Sequence, residues 1–260
     1  MSDLHFGKTD PELLAPLVRA VKNVSPTVVA VSGDFVQWSR EEEFRQARDF
    51  IEQLPGRQIL VPGNHDMAFL NPLRRATQRL RLFRRYITTD KEPFYLDEEI
   101  AILGVNTARV THLRDGRIRG WQVDRIEERF RNLHPDVTRI LVTHHPFDLP
   151  ERYTRDELIG RRVIRRVVGA VDVLLAGHMH ISYAGRTATR YKIEGQSAIF
   201  VQAGTALSTR VRGEVNSFNV LTVDEGKVDI NQYAWSEETG EFAKFSHSVF
   251  FWEVGRGWTV

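Results

Sequence analysis

The residues of this chain that could do chemistry fall into five short blocks of Asp, His and Asn. Each block except the first directly follows a short apolar run rich in β-branched residues, which is typical of a buried strand. Since ligands gather where the strands of an open α/β sheet end, we expect these blocks to meet at one sheet edge. The blocks, in chain order, are Ser2-Asp3-Leu4-His5, Gly33-Asp34, Gly63-Asn64-His65-Asp66, His144-His145 and Gly177-His178-Met179-His180.

Together the blocks offer the side chains that a pair of metal ions needs. Two ions about 3.5–4 Å apart take roughly four protein ligands each, with one carboxylate bridging them. With His65, Asp66 and His145 left aside, the blocks supply two carboxylates, one amide and four imidazoles. The chain has no cysteine, so thiolate ligands are excluded and Mn, Fe, Zn or Co suit the donors. This combination predicts metal-assisted hydrolysis of a phosphate ester.

Composition and charge are typical of a soluble globular protein. Of the 260 residues, 42% are hydrophobic and 27% are charged, and the formal net charge is +2. This modest positive charge suits an anionic substrate, but it does not by itself indicate nucleic acid. No stretch resembles a signal peptide or a transmembrane helix, so we expect a cytoplasmic protein.

Apolar periodicity predicts alternating strands and helices up to His180 and strands alone after it. This order indicates one α/β domain over residues 1–260, in which two mixed β-sheets stack between flanking helices. The predicted helices span residues 11–22, 41–54, 72–86, 121–133 and 155–168, and the predicted strands span residues 27–31, 58–61, 94–96, 100–105, 139–142, 171–175, 185–192, 198–202, 217–223, 228–235 and 245–252.

The five blocks resemble the calcineurin-like metallophosphoesterases, whose pattern is DxH, GD, GNH with Asp or Glu, a lone His after a strand, and GHxH. The resemblance covers essentially the whole chain and implies the metallo-dependent phosphatase fold, a four-layer αββα sandwich. It also implies two divalent or trivalent transition-metal ions. One would be held by Asp3, His5, Asp34 and His180, and the other by Asp34, Asn64, His144 and His178. His65 would face the substrate, oriented by Asp66.

Within this superfamily the chain is most similar to the bacterial class III cyclic-nucleotide phosphodiesterases. The similarity rests on the segments 2–7, 143–146, 202–205 and 216–219. It implies hydrolysis of a small phosphodiester or cyclic nucleotide by in-line attack of a metal-bridging hydroxide, with His65 protonating or stabilising the leaving oxygen. The open alternatives are a pyrophosphatase for a nucleotide-linked lipid sugar of the UDP-diacylglucosamine type, a nuclease, and a metal-free scaffold. The nuclease is disfavoured because the sequence shows no dedicated nucleic-acid-binding module.

Other histidines have simpler structural explanations. His145 cannot point the same way as His144 from an extended segment, so we expect it to support the site or pack beside it. The remaining histidines have no partner blocks and are predicted to be surface or satisfied polar residues; they are His112, His134 and His247.

Two further groups of residues could approach an anionic substrate. The arginine-rich segment between Arg74 and Arg85 is predicted to be a solvated helix face. A substrate contact stays open for Asn106-Thr107, which ends a strand, and for Arg210 and Arg212, which follow a turn at Gly204.

The first block departs from the family pattern, because only Met1 and Ser2 precede Asp3. Relatives place a buried strand there, so the predicted fold lacks its first strand. Its absence would leave ladder groups unpaired in the core, at about 1–3 kcal/mol for each unsatisfied group. It would also put Asp3 and His5 on a frayed terminus. We therefore expect the natural start to lie upstream of Met1.

Overall fold

The computed structural model describes residues 1–68, 72–110, 115–148, 159, 163–187, 197–211 and 213–260. Half of the predicted helix 155–168, the end of the predicted strand 185–192, His112 and Arg212 lie outside the described residues. Within the described ranges, we find no helix that combines the length and the apolar character needed to cross a membrane.

Helices and strands alternate in the first part of the chain and strands follow, as predicted. A 3₁₀ turn at Pro11–Leu13 precedes α1 (Leu14–Val24), and the further helices are α2 (Glu41–Ile51), α3 (Pro72–Gln78), α4 (Arg81–Tyr86), α5 (Gly120–Phe130) and α6 (Ile164–Ala170). The strands are β1 (Val28–Ser32), β2 (Arg57–Val61), β3 (Phe94–Leu96), β4 (Ile100–Gly104), β5 (Thr138–Val142), β6 (Val173–Ala176), β7 (Tyr183–Arg186), β8 (Ile199–Gln202), β9 (Ser217–Asp224), β10 (Lys227–Ser236), β11 (Glu241–Glu253) and β12 (Gly257–Thr259).

Local sequence explains where helices begin and break. The Asp10 side chain accepts the Glu12 N–H at 3.0 Å, and Pro11 occupies the first position of the turn that leads into α1. The predicted helix 72–86 is instead two helices, α3 and α4. It breaks next to Arg79, whose φ of 37° is incompatible with a right-handed helix.

The larger sheet has six strands in the order β3-β4-β5-β6-β8-β7. The four central strands are parallel, and β3 and β7 run antiparallel at the two edges. Helices α5 and α6 cover its outer face, where Ile126 and Val167 pack with Leu141 and Phe200. The parallel order places the carboxyl ends of β5 and β6 at the same edge.

The second layer contains a parallel pair, β1 and β2, and an antiparallel sheet in the order β12-β11-β10-β9. Both pack on the inner face of the six-stranded sheet, since Ile59 of β2 and Ile230 of β10 share a buried cluster with Ile140 and Val173. Helices α1, α2 and α4 cover the outside of this layer. The chain is therefore a four-layer αββα sandwich, as predicted.

A cavity of about 420 Å³ separates β1 from β9 within the second layer. Val29 and Ala30 line one side, and Val220 and Leu221 line the other. The described part of this layer is thus divided into two separately hydrogen-bonded sheets.

Residues 1–6 run beside the carboxyl end of β1. Three backbone hydrogen bonds of 3.0 Å hold them there, from Ser32 N–H to Met1 O, from Asp3 N–H to Gly33 O and from His5 N–H to Asp34 O. Asp3 and His5 are both 0% exposed. The expectation that they sit on a frayed terminus is therefore wrong, because the end of β1 anchors this segment.

Candidate metal centre

The structure brings all seven predicted metal ligands to one edge of the sandwich. Asp34 follows β1, Asn64 follows β2, His144 follows β5, and His178 and His180 follow β6. The first block joins them because residues 1–6 pair with the chain around the end of β1. The side chains form two clusters that share one carboxylate.

The first cluster consists of Asp3, His5, His180 and Asp34. Asp3 Oδ1 lies 3.2 Å from His180 Nε2 and 3.6 Å from His5 Nε2. The two imidazole Nε2 atoms are 3.1 Å apart, and His5 Nε2 is 3.8 Å from Asp34 Oδ2. Four donor atoms thus surround a common point.

The second cluster consists of Asp34, Asn64, His144 and His178. Asp34 Oδ2 lies 3.3 Å from His144 Nε2, and Asn64 Oδ1 lies 3.1 Å from the same nitrogen. Asn64 Oδ1 is also 3.1 Å from His178 Nδ1. Asp34 Oδ2 is therefore the atom common to both clusters, in the position of a bridging ligand.

The donor atoms fit metal ions. Ligands about 2.0–2.2 Å from an ion in tetrahedral geometry lie roughly 3.3–3.6 Å from one another, close to the spacings above. Among the described residues, Asp3 Oδ1 is one of the few buried side-chain atoms without a hydrogen-bond partner. Such an atom is costly unless a cation satisfies it. These residues could hold one ion in each cluster.

Backbone groups fix the ligands from behind. His144 Nδ1 donates to Ser32 O at 2.7 Å, and His180 Nδ1 donates to Arg210 O at 2.7 Å. Because a carbonyl only accepts, both imidazoles carry a proton on Nδ1 and direct Nε2 toward the clusters. Asp3 Oδ2 is likewise occupied by the His178 N–H at 2.8 Å, which leaves Oδ1 for an ion.

Five of the seven ligand residues have a left-handed backbone. Their φ angles are 54° for Asp3, 50° for His5, 54° for Asp34, 76° for His178 and 56° for His180. This conformation costs a non-glycine residue about 1–3 kcal/mol, so the surrounding structure must hold it. Such strain is concentrated at functional sites.

Two glycines in the blocks are required by close approach. A Cβ on Gly63 would lie 2.1 Å from Asp34 Oδ1, and a Cβ on Gly177 would lie 1.7 Å from Ser2 Oγ. Either contact is far inside van der Waals distance, so any larger residue would displace Asp34 or the first block. The Gly in these motifs therefore makes room for the carboxylates.

The buried charges shift one another's pKa values. Burial lowers the pKa of His144, but the Asp34 carboxylate overcomes it and raises that pKa to about 9. Burial and the nearby charge of His144 lower the pKa of His178 to about 3. Burial opposes ionisation of Asp34, yet His144 and His65 hold its pKa well below the usual value. At neutral pH, Asp34 is thus a carboxylate and His178 a neutral imidazole, which are the metal-binding forms.

Asp66 does not have the role expected for it. Its four contacts are with backbone amides: Gly63 N–H (2.8 Å), Asp34 N–H (3.1 Å), Phe35 N–H (2.9 Å) and Val36 N–H (3.2 Å). Burial and the charge of Asp34 raise the pKa of Asp66, while these donors oppose the rise. Because each carboxylate oxygen accepts two N–H groups, Asp66 ties the loop after β1 to the loop after β2 instead of orienting His65.

His65 lies beside the first cluster and is oriented by Gln37. His65 Nδ1 donates to Gln37 O at 2.9 Å, and Nε2 faces Arg210 Nη1 at 3.4 Å. A ring nitrogen of His65 lies within 4.8 Å of donor atoms of His5 and Asp34. Burial lowers the pKa of His65 despite the opposing charge of Asp34.

The remaining polar residues separate into neighbours of the site and surface groups. His145 is buried, its Nδ1 lies 2.9 Å from Thr107 Oγ1, and its ring packs 4.6 Å from that of His178. His145 thus lies beside the second cluster, and its ring offers a nitrogen within 4.8 Å of ligand atoms of His144 and His178. His134 and His247 are exposed and pair with aspartates, as predicted.

Sequence reasoning missed two residues that position the site. Gln37 holds His65, and Thr205 Oγ1 donates to the Asp3 carbonyl at 2.7 Å. Gln37 follows Asp34 by three residues, which is a weak signal of proximity. Thr205 is distant in sequence from every block, so spacing offers no signal for it.

The fold and the paired clusters define a metallophosphoesterase architecture, and the chain belongs to the calcineurin-like phosphoesterase family, whose sequence profile matches residues 1–182. Over 208 residues it is 26% identical to a probable cyclic nucleotide phosphodiesterase from Synechococcus sp., a match that covers 74% of this chain and 76% of the relative.

Solved structures show the same fold. The purple acid phosphatase of yellow lupin seeds superposes with a TM-score of 0.69 at 12% identity, over 95% of this chain and 52% of that one. A single mutant of Vps29 from Entamoeba histolytica gives a TM-score of 0.51 at 15% identity, over 96% of this chain and 97% of that one. The chain thus spans about half the length of the purple acid phosphatase.

Proposed function

We propose that this protein is a dinuclear-metal-dependent phosphodiesterase acting on a small phosphodiester or cyclic nucleotide. The observation that carries the proposal is that Asp34 Oδ2 belongs to both ligand clusters. A shared carboxylate sets two ions close together, which is the arrangement that serves in-line displacement at phosphorus. Membership of a phosphoesterase family and the similarity to a probable cyclic nucleotide phosphodiesterase support it.

Two bound cations would supply a water-derived nucleophile near neutral pH and neutralise charge on the phosphoryl oxygens. Asp3, His5 and His180 would hold one ion, Asn64, His144 and His178 the other, with Asp34 between them. His65 would protonate the leaving group. Because its Nδ1 proton is engaged by Gln37 O, a second proton can sit only on Nε2, from which it would pass to the leaving oxygen.

The test combines metal analysis with hydrolysis of bis-p-nitrophenyl phosphate. We expect about two transition-metal ions per chain after incubation with Mn²⁺ and turnover that depends on them. Asp34→Asn should lower both metal content and turnover, because the bridging charge is lost. No bound metal and no turnover with added Mn²⁺ would instead favour the metal-free scaffold.

His65→Ala separates chemistry from metal binding. We expect turnover to fall by about 10²–10⁴-fold, the usual contribution of a general acid, while metal content stays unchanged. His134→Ala is the matched control, because His134 is exposed and pairs with Asp136, which belongs to neither cluster. A His65→Ala protein that is inactive and also metal-free would show that His65 is a ligand and not a proton donor.

A further inference from the structure

The mouth of the candidate centre carries an arginine that the proposed mechanism does not use. Arg210 is exposed, and its Nη1 lies 3.4 Å from His65 Nε2 and 3.2 Å from Gln37 Oε1. In the part of the chain that the structure describes, Arg210 forms no ion pair with a carboxylate. A cation thus faces the leaving-group side of the site without a fixed counter-charge.

The backbone of Arg210 is held firmly although its side chain is exposed. The Arg210 N–H donates to Ser208 Oγ at 3.1 Å, and its carbonyl accepts from His180 Nδ1 at 2.7 Å. Ser208 is fully buried, and its own carbonyl accepts Asn216 Nδ2 at 2.9 Å. The guanidinium therefore projects from a segment that is tied directly to a predicted metal ligand.

Gln37 fixes Arg210 and His65 relative to each other. Its side chain is buried, at 3% exposure, and Oε1 accepts from Arg210 Nη1. Its main-chain carbonyl accepts from His65 Nδ1. Because a guanidinium has five N–H donors, the contact with Gln37 leaves others for a ligand. Gln37 thus positions the His65 imidazole and the Arg210 guanidinium side by side.

We propose that Arg210, positioned by Gln37, binds a second anionic group on the leaving side of the substrate. This inference rests on the proposed function. An oxygen that receives a proton from His65 Nε2 lies within reach of the guanidinium, and a phosphate bearing that oxygen could be bound through two parallel N–H contacts.

The substrate class is then a nucleoside diphosphate that is esterified at its terminal phosphate. Hydrolysis adds water across the P–O–P bond and gives two phosphomonoesters, so the leaving group is itself a phosphate. A cyclic nucleotide is a poorer match, because its leaving oxygen belongs to a ribose that carries no charge. Arg210 would thus select among phosphodiesters by the charge of the leaving group.

The experiment compares wild type, Arg210→Met and Arg210→Lys, each loaded with Mn²⁺. Calorimetry gives the affinity of each protein for ADP and for AMP, and the difference between the two affinities measures the contribution of the second phosphate. We expect Arg210→Met to weaken the binding of ADP about tenfold to a hundredfold, since a charged hydrogen bond is lost. The binding of AMP should weaken by less than about twofold. Arg210→Lys should be intermediate. Arg256→Met, which removes an exposed arginine paired with Glu253, is the control.

Kinetics with UDP-glucose and bis-p-nitrophenyl phosphate complete the test. Arg210→Met should raise KM for UDP-glucose by a larger factor than KM for bis-p-nitrophenyl phosphate, whose leaving group carries no phosphate. Unchanged ADP affinity, or equal losses for ADP and AMP, would overturn the inference. If wild type hydrolyses bis-p-nitrophenyl phosphate but Arg210→Met binds ADP as tightly as wild type does, the proposed function stands and the Arg210 subsite is wrong. If Arg210→Met weakens binding of ADP but not of AMP and wild type hydrolyses neither substrate, the Arg210 subsite stands and the proposed function is wrong.

Discussion

Replacement of Asp66 by Asn should destabilise the protein more than it impairs proton transfer. The carboxylate of Asp66 is 1% exposed and accepts four backbone N–H groups, two on each oxygen. An amide keeps one accepting oxygen and presents an NH₂ group at the other. Two buried N–H groups, either those of Phe35 and Val36 or those of Gly63 and Asp34, would then face a donor.

The expected loss follows from the number of unpaired groups. At about 1–3 kcal/mol for each buried donor left unsatisfied, Asp66→Asn should cost about 2–6 kcal/mol of unfolding free energy. The assay is urea denaturation of the metal-free protein, followed by circular dichroism. Metal affinity should fall as well, because the same amides fix the loops that carry Asp34 and Asn64.

Asp97→Asn is the matched control for this substitution. Asp97 also accepts backbone amides, those of Glu99 and Ile100, but it is partly exposed, so water can replace the lost acceptor. We expect it to cost less than about 1 kcal/mol. The reasoning would be refuted if Asp66→Asn had the unfolding free energy of wild type and lost turnover to the same extent as His65→Ala. That combination is expected of a residue whose role is to orient His65.

Three further predictions concern the metal clusters. Because the metal-free protein holds a proton on His144 up to about pH 9, metal affinity at the second cluster should rise about tenfold per pH unit toward that value, with proton release measurable by calorimetry in several buffers. The same raised pKa stabilises the metal-free fold fully below about pH 6.5, and this stabilisation should disappear as the pH rises through 9, which thermal melts will show. Gly177→Ala should lower the metal content of both clusters, because its Cβ would lie 2.7 Å from Asp3 Oδ2, which accepts the His178 N–H, whereas Gly120→Ala, which meets nothing within 4 Å, should keep both ions in elemental analysis.

Much of the candidate site could be predicted because its ligands follow strands. The apolar runs before Asp34, Asn64, His144 and His178 mark buried strands, and strands that end at one edge bring their next residues together. The four-layer order was predictable for a similar reason, since alternating strands and helices followed by strands alone restrict the packing.

The parts that sequence did not reveal depend on long-range contacts and on backbone conformation. Thr205 and Arg210 reach the first block and His180 through a loop whose path no local pattern encodes. The left-handed backbone of residues such as His5 and His180 runs against intrinsic preference, so only tertiary packing can impose it. Asp66 illustrates the same limit, because a carboxylate next to a histidine in sequence turned out to bind the amides of another loop.

The division of the second layer has a consequence for the way the fold holds together. A continuous ladder would make β1 and β9 open and close together, but here a cavity lies between their facing edges. The ladder hydrogen bonds of β9 to β12 run among those four strands, while β1 and β2 pair with each other and precede Asp34 and Asn64. Cooperative units of unfolding follow such boundaries. The carboxyl-terminal sheet can therefore exchange its amide hydrogens as a unit of its own, without opening the strands that support the bridging ligand.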